Sequence, residues 1–488
     1  MKVKYLPIED KRNIKSLKKA ETNEEIITIL ESIFQRPYTL QVLWEYRKWY
    51  YKLSKEELDE HLAIKTSFVQ IKIMEGNLME AQQLINELED DTYYKVYSQL
   101  MSPSVNDSFI CLTNEMKKNG FAAISNMTIT GGRPSVLTGI WDFSEYTEQI
   151  INDKGYLDEA FEILFAEKGR EISEMLYAEV LYQRDQCYES LVEIVGLLPF
   201  LKDRKDMRLL FSALTHQMFI MLLNNQVASA QPIMESLRNQ IIGVGLEEYT
   251  PNIDALEAWV AMYEGDYRAV TKWMREDAPD EYSRFCMLDV FRYMIKMRVY
   301  LIQGKHLAIT FLASKLQLLL DEGGRYMDSC ELHLLWALSE YSRGDKHSAL
   351  DHLAVALDLA EKFRLDRLIA DEGFRVYELL KIYQKERGSY PYLEREIELS
   401  RKIAISHPNY LKAQLPEKPA LTPAEMNVLR LLEAGHSNAE IARLTDTTID
   451  NAKFHCKRIF SKLEVSNRYQ AVKRAIELGI LNPVEINY

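Results

Sequence analysis

The stretch LTPAEMNVLRLLEAGHSNAEIARLTDTTIDNAKFHCKRIF, residues 421–460, continued by SKLEVSNRYQAVKRAIELGIL to residue 481, decides how this chain is read. Thr422 stands where it can cap a helix, with Pro423 at the first helical position and Glu425 three residues on; Ser437 and Glu440 repeat the device fifteen residues later. Gly435 supplies a left-handed stop between them. Thr448 is placed to cap a third helix, Ser466 a fourth, and Gly479 to end it.

The third helix, roughly Ile449 to Leu463, divides into two stripes. Ala452, Cys456, Ile459 and Leu463 recur at spacings of four, three and four, the pattern of a face packed on other helices. Opposite them lie Asp450, Lys453, Phe454, Lys457 and Ser461. A solvated face uses lysines but has little use for a phenylalanine. A helix laid in the major groove of DNA uses both, lysine on a base edge or phosphate and the ring against a thymine methyl or sugar. From Lys453 to Arg474 the chain holds seven Lys or Arg (453, 457, 458, 462, 468, 473, 474) against one acid, Glu464, although its overall net charge is −13. A plain bundle has no need to gather charge on one helix, so double-stranded DNA is the expected partner. His455 and Cys456 have no second Cys or His pair at ligand spacing, and Cys456 falls on the packed stripe, so packing is expected there and no metal.

These residues resemble the LuxR-type helix-turn-helix of bacterial transcription regulators. Leu421, Thr422, Glu425, Val428, Leu429, Leu432, Gly435, Ser437, Asn438, Glu440, Ile441, Ala442, Lys453, His455, Ile459, Lys462, Leu463, Val465, Asn467, Arg468 and Ala471 fall in that pattern without a gap. The resemblance implies that the third helix enters the major groove with Lys453, Phe454 and Lys457 at the bases, and that the fourth helix forms a dimer contact on DNA. Phosphate contacts are expected from Arg458, Lys462 and Arg468, and Thr448, Asn451 and His455 complete the candidate DNA-binding set. Thr445 replaces the usual leucine, Asn451 a threonine, Ala452 a valine and Ala424 an arginine. Thr445 is expected to loosen the small core, and Asn451 to change any inherited sequence preference.

The rest of the chain differs. Residues 1–420 carry 51 basic and 65 acidic residues, and an acidic body repels a phosphate backbone. Five cysteines (111, 187, 286, 330, 456) are scattered, which suits a reducing cytosol better than a disulfide framework. The first twenty residues lack a signal-peptide apolar core, and the longest apolar run, near Met218 to Leu223, is too short for a bilayer, so a cytoplasmic location away from membranes is expected. There is no HExxH, GxSxG or Walker lysine, so neither an enzyme nor a cofactor is expected. His347 and His352 are expected to be solvated, and Trp44, Tyr46, Trp49, Tyr50 and Tyr51 to pack in a core rather than line a groove.

Internal repeats organise this body. WVAMYEGDYRAVTKW, YLIQGKHLAITFL and WALSEYSRGDKHSALDHL place Gly265, Gly304 and Gly344 in register at steps of 39 and 40 residues. Upstream, Asp185 and Asn225 fall where Asp266 and Asp345 do, and Gly76–Asn77 marks an earlier copy. Each unit reads as two helices joined at a tight turn followed by a small residue, and two helices cannot bury their own apolar faces, so the units must stack into a solenoid. The spacing is longer than the about 34 residues of a standard tetratricopeptide repeat and near that of HEAT repeats, and the turn followed by a small residue favours a lengthened tetratricopeptide-like unit. LWEYRKWYYKLSKEEL (43–58) and ALDLAEKFRLDRLIADEGFRVYELL (356–380) resemble the first and last parts of the helical arm in MalT-like regulators. Ala356, Leu359, Ala360, Glu361, Arg367, Asp371, Glu372 and Gly373 match its closing motif, while Arg364 and Ile369 replace a glycine and a phenylalanine. Members of that family carry an ATP-binding domain ahead of the arm. Without a GxxxxGK followed by Ser or Thr, this chain is expected to be a shortened member.

The expected fold class is thus all-α: a tetratricopeptide-like helical-repeat solenoid over 1–406, a Pro-containing linker over 407–420 and a four-helix LuxR-type domain over 421–488. Segment 90–150 fits the repeats least well. Its β-branched residues predict an irregular or partly extended piece that either covers a cavity or only packs, and TGGRPSVLTG (130–139) within it reads as a turn or short insertion. The functional expectation is a bacterial transcription regulator whose arm receives a small-molecule or protein signal, acting as a homodimer on DNA with RNA polymerase as a further candidate partner. The alternative is a helical-repeat protein that sequesters a partner, with a degenerate DNA-binding module.

Overall fold

The computed structural model describes residues 5–34, 38–90, 92–102, 107–121, 129–203, 207–224, 226–244, 246–412, 421–463, 465–477 and 480–481. Gly76, Gly265, Gly304 and Gly344 take φ values of +78°, +75°, +66° and +94°, and Asp185 takes +62°. This left-handed turn ends one helix, and the next residue starts another. Asp266 accepts from the amides of Arg268 and Ala269, and Asp345 from that of Ser348, so a Gly-Asp pair both stops and caps. Asn225, in the same register, lies outside the described residues.

The turns close a series of helical hairpins: Leu62–Met74 with Leu78–Asn86, Gly169–Gln183 with Cys187–Asp203, Met207–Leu223 with Val227–Gly243, Thr250–Glu264 with Tyr267–Glu276, Val290–Gln303 with His306–Glu322, Tyr326–Arg343 with Lys346–Phe363, and Gly373–Arg387 with Pro391–Ser406. From Gly169 on, successive hairpins pack on one another. The two helices of a hairpin differ in kind. Every residue from Val290 to Ile302 is buried, whereas His306–Glu322 buries only Ile309, Leu312, Ala313, Leu316 and Leu320. First helices are therefore inner and second helices amphipathic outer ones, except in the last hairpin, where Gly373–Arg387 buries only Gly373, Val376, Leu379 and Leu380. The chain is an all-α helical solenoid followed by a small helix-turn-helix unit; among the described residues there is no strand, only an isolated bridge between Thr138 and Asp142.

Several expectations need correcting. Within 90–150, VNDSFICLTNEMKKNG contributes the helix Asp107–Lys118, and irregular backbone is confined among the described residues largely to 129–143; residues 91, 103–106 and 122–128 lie outside them. The first part of the anticipated linker belongs to the arm. Tyr410 is buried, stacks on Tyr263 at 3.8 Å and accepts from Trp259 Nε1 at 2.9 Å, while Tyr267 OH donates to Asn409 O at 2.8 Å. The arm thus runs to Lys412, and the rest of the anticipated linker, 413–420, lies outside the described residues. His352 is not simply solvated: its Nδ1 lies 3.0 Å from Nδ1 of buried His333, and its ring stacks on Trp336. Trp44, Tyr46, Trp49 and Tyr50 do pack in the core, with Tyr46 OH donating to Asp10 and Trp49 Nε1 to Leu17 O.

The second unit has its own core. Its helices are Pro423–Glu433, Asn438–Leu444, Ile449–Lys462 and Arg468–Glu477, and both capping boxes form as read. Gly435 has φ +81°. The fourth helix is capped by Asn467, whose side chain accepts from Gln470 N, and not by Ser466, whose hydroxyl donates to the Gln470 side chain. Gly479 lies outside the described residues.

Candidate DNA-binding face and a cavity in the arm

The third helix of the second unit, Ile449–Lys462, is capped by the Thr448 hydroxyl, which accepts from Asn451 N at 3.2 Å. Ala452, Cys456, Ile459 and Leu463 are buried against Val428, Leu429, Leu432 and Ile441. Burying that stripe turns the opposite one outward: Phe454 is 54% exposed, Lys453 and Lys457 are exposed on either side, and Asn451 is exposed one turn earlier. Among the described residues Lys453 reaches only the exposed Asp450, at 3.5 Å. His455 is half-buried, its ring edge-on to Phe454, and its Nδ1 has no hydrogen-bond partner among the described residues.

The other three basic residues of the candidate set have partners within the unit. Lys462 Nζ lies 2.6 Å from Glu425 Oε2, and Arg458 Nε 3.3 Å from Glu425 Oε1. Burial alone pushes the Glu425 carboxyl up, but Lys462 and the Thr422 amide and hydroxyl outweigh it and hold its pKa at about 2. Arg468 donates to His436 O at 3.1 Å and to Asn438 Oδ1 at 3.3 Å, tying the fourth helix to the turn before the second. Thr445, read as a weak point, bonds back to Ile441 O at 2.7 Å.

In the arm, residues 129–143 are held chiefly by their main chain. Glu179 accepts from the amides of Val136 and Leu137 and from Ser135 Oγ; Arg325 donates to Thr138 Oγ1 and to the carbonyls of Gly139 and Ile140. Asn252 donates to Gly132 O, and Arg133 reaches Asp328, with one guanidinium nitrogen at 2.9 Å. A Cβ on Gly139 would stand 2.1 Å from Ile129 O, so this close approach requires glycine. Between the segment and the inner helices lies a cavity of about 110 Å³. Its aromatic wall includes Tyr182, Phe219, Trp259, Tyr263 and Phe291, and its charged groups include Glu179, Arg298, Glu331, Arg367 in the short helix Asp366–Ala370, and Asp371 and Glu372 just after it. Arg298 joins Glu331 at 2.7 Å and Glu372 at 2.9 Å, and Arg367 joins Asp371 at 2.7 Å. Burial pushes the carboxyls of Glu331 and Asp371 up against the pull of these arginines.

The sequence reading named no ligand-binding residue in the arm. Arg367, Asp371 and Glu372 were visible only through the closing motif. The available signal for the others was a charge inside an otherwise buried helix, as at Glu179, Arg298 and Glu331.

The fold and exposed basic helix of the second unit define a helix-turn-helix DNA-binding domain. Residues 419–475 match the family model described as bacterial regulatory proteins, luxR family, so the chain carries a LuxR-family DNA-binding domain. The chain is also 35% identical over 88 residues to the response regulator protein VraR of Staphylococcus epidermidis, 18% of this chain and 42% of that protein. It is 36% identical over 80 residues to the proteins of that name in Staphylococcus aureus and Staphylococcus saprophyticus, 16% of this chain and 38% of each. The chain thus spans about two fifths of the length of these curated relatives. Among the described residues no helix is long and apolar enough to cross a membrane.

Proposed function

We propose that this protein is a cytoplasmic bacterial transcription regulator of MalT-like organisation, without catalytic activity, whose tetratricopeptide-like arm receives a signal and whose LuxR-family domain binds a specific DNA site. The observation that carries the DNA part is Phe454, 54% exposed between Lys453 and Lys457 on the face opposite the buried stripe. Lys453, Phe454 and Lys457 read base edges, helped by Asn451 and His455, and the N-terminus of the capped helix at Thr448 faces the phosphates. Arg458, Lys462 and Arg468 are close enough to contribute phosphate contacts, but each gives up part of an internal pairing to do so.

The protein binds as a homodimer, because one short helix reads too few bases to hold a site alone; Tyr469, 77% exposed on the fourth helix, supports a contact there. RNA polymerase is the further partner such a regulator meets. Selection of random duplexes by the full chain tests the reading. Enrichment of one palindromic site, lost in a Lys453→Ala, Lys457→Ala variant that still folds, is the expected result. An unaltered preference in that variant sinks the assignment of those lysines; no enrichment by the full chain or by residues 416–488 moves the reading to a sequestering scaffold.

A further inference from the structure

We infer that the cavity between the inner helices and residues 133–138 is a binding site for a small organic cation, a primary amine on a compact apolar body. The inference rests on the proposed role of the arm and narrows the signal to a chemical class.

Charge comes first. Arg298 is shared by Glu331 and Glu372, Arg367 is taken by Asp371, and Arg133 is taken by Asp328. Among the described residues Glu179 meets no guanidinium; its hydrogen-bond donors there are one hydroxyl and two backbone amides. Asp328 is in turn shared by Arg133 and Arg325, so the surplus arginine there offsets the surplus carboxylate on Arg298, and Glu179 is the carboxylate left beside the cavity without a guanidinium. Buried charge without a counter-charge is costly, and a bound cation removes that cost.

Donor geometry points the same way. His216 Nδ1 lies 3.1 Å from Ser212 O, so the ring must carry its proton there to make that bond. Nε2 of that ring stands 3.8 Å from Glu179 Oε2, beyond a direct hydrogen bond. An ammonium group in that gap supplies a donor to the Glu179 carboxylate. The walls suit the remainder of such a molecule. Phe219 and Phe291 flank Trp259 at 4.5 and 6.3 Å, and Arg298 already places one cation over that indole, 4.6 Å from its centroid. The volume, about 110 Å³, sets the size. An apolar cavity of about 150 Å³ accepts benzene, so the ligand here has about four or five non-hydrogen atoms.

The test is calorimetric titration of the full chain, without DNA, near neutral pH, using isobutylamine, isobutanol and isobutyrate as probes of one branched skeleton. Saturable binding of the amine, at least tenfold tighter than the alcohol, with no binding of the carboxylate, is expected. Equal binding of amine and alcohol, preference for the carboxylate, or no heat from millimolar amine overturns the site. Glu331→Gln, which leaves Arg298 paired with Glu372, is expected to weaken the amine at least tenfold and leave the alcohol unchanged; if this variant does not fold, the wild-type series decides alone. DNA affinity is then measured with and without saturating amine. Amine binding that leaves DNA affinity unchanged keeps the site and removes the arm's role as receiver of the signal.

Discussion

Glu425 joins three jobs that the sequence displays as one. It closes the capping box with Thr422, it is buried, and from the first helix it holds Lys462 and Arg458 of the third. The lysines of the candidate DNA face consequently fall into two kinds. Lys457→Ala is expected to weaken DNA binding and leave folding unchanged within about 0.5 kcal/mol. Lys462→Ala leaves a buried carboxylate without its nearest cation and is expected to cost stability as well, by about 1 kcal/mol after allowance for its partial exposure. Denaturant unfolding beside a DNA titration separates the two. Glu396 gives a second test, in the arm. It is buried, neither carboxyl oxygen has a hydrogen-bond partner among the described residues, and burial, then the Asp366 carboxylate, pushes its pKa up to about 9. A raised folded value means that the stability contribution is intact below the ordinary value of 4.5 and is lost as pH rises through 9. Glu396→Gln should raise stability on the alkaline side and flatten its pH dependence; a Gln variant that loses stability at pH 8 contradicts this.

At the scale of the element, the hairpin turn is the unit of construction, and its chemistry was legible because glycine and aspartate each have one local job there. A Cβ at Gly344 would meet nothing within 4 Å, so Gly344→Ala should cost only the backbone term, about 1–2 kcal/mol for a left-handed residue. Gly139→Ala should cost more, since its Cβ would collide with the backbone at Ile129 and Thr130 and push residues 129–143 off the inner helices. Equal melting temperatures for the two variants would contradict the close approach. The fourth-helix cap was misread for an instructive reason: Ser466 and Asn467 are adjacent and both are good cap residues, so only the path of the chain into Arg468–Glu477 selects between them. His352 was misread similarly, because its neighbour His333 lies on the preceding helix of the hairpin.

At the scale of the molecule, the arm and the DNA-binding unit each enclose an apolar core of their own. Calorimetric unfolding should therefore show two components, the smaller one lost earlier in Glu425→Ala; one transition that shifts as a whole in that variant would contradict separate cores. Periodicity, caps and turn glycines determined the all-α class, the repeated hairpins and the DNA-binding domain, because each acts over a few residues of contiguous chain. The tertiary structure decided what depends on residues far apart in sequence. Residues 407–412 belong to the arm because Tyr410 stacks on Tyr263. Lys462 and Arg458 are partly committed because Glu425 lies beside them. The cavity exists because Glu179, Asn252 and Arg325, on three different helices or their ends, meet the backbone of one irregular segment, and burial of charge cannot be read until those distant elements are brought together.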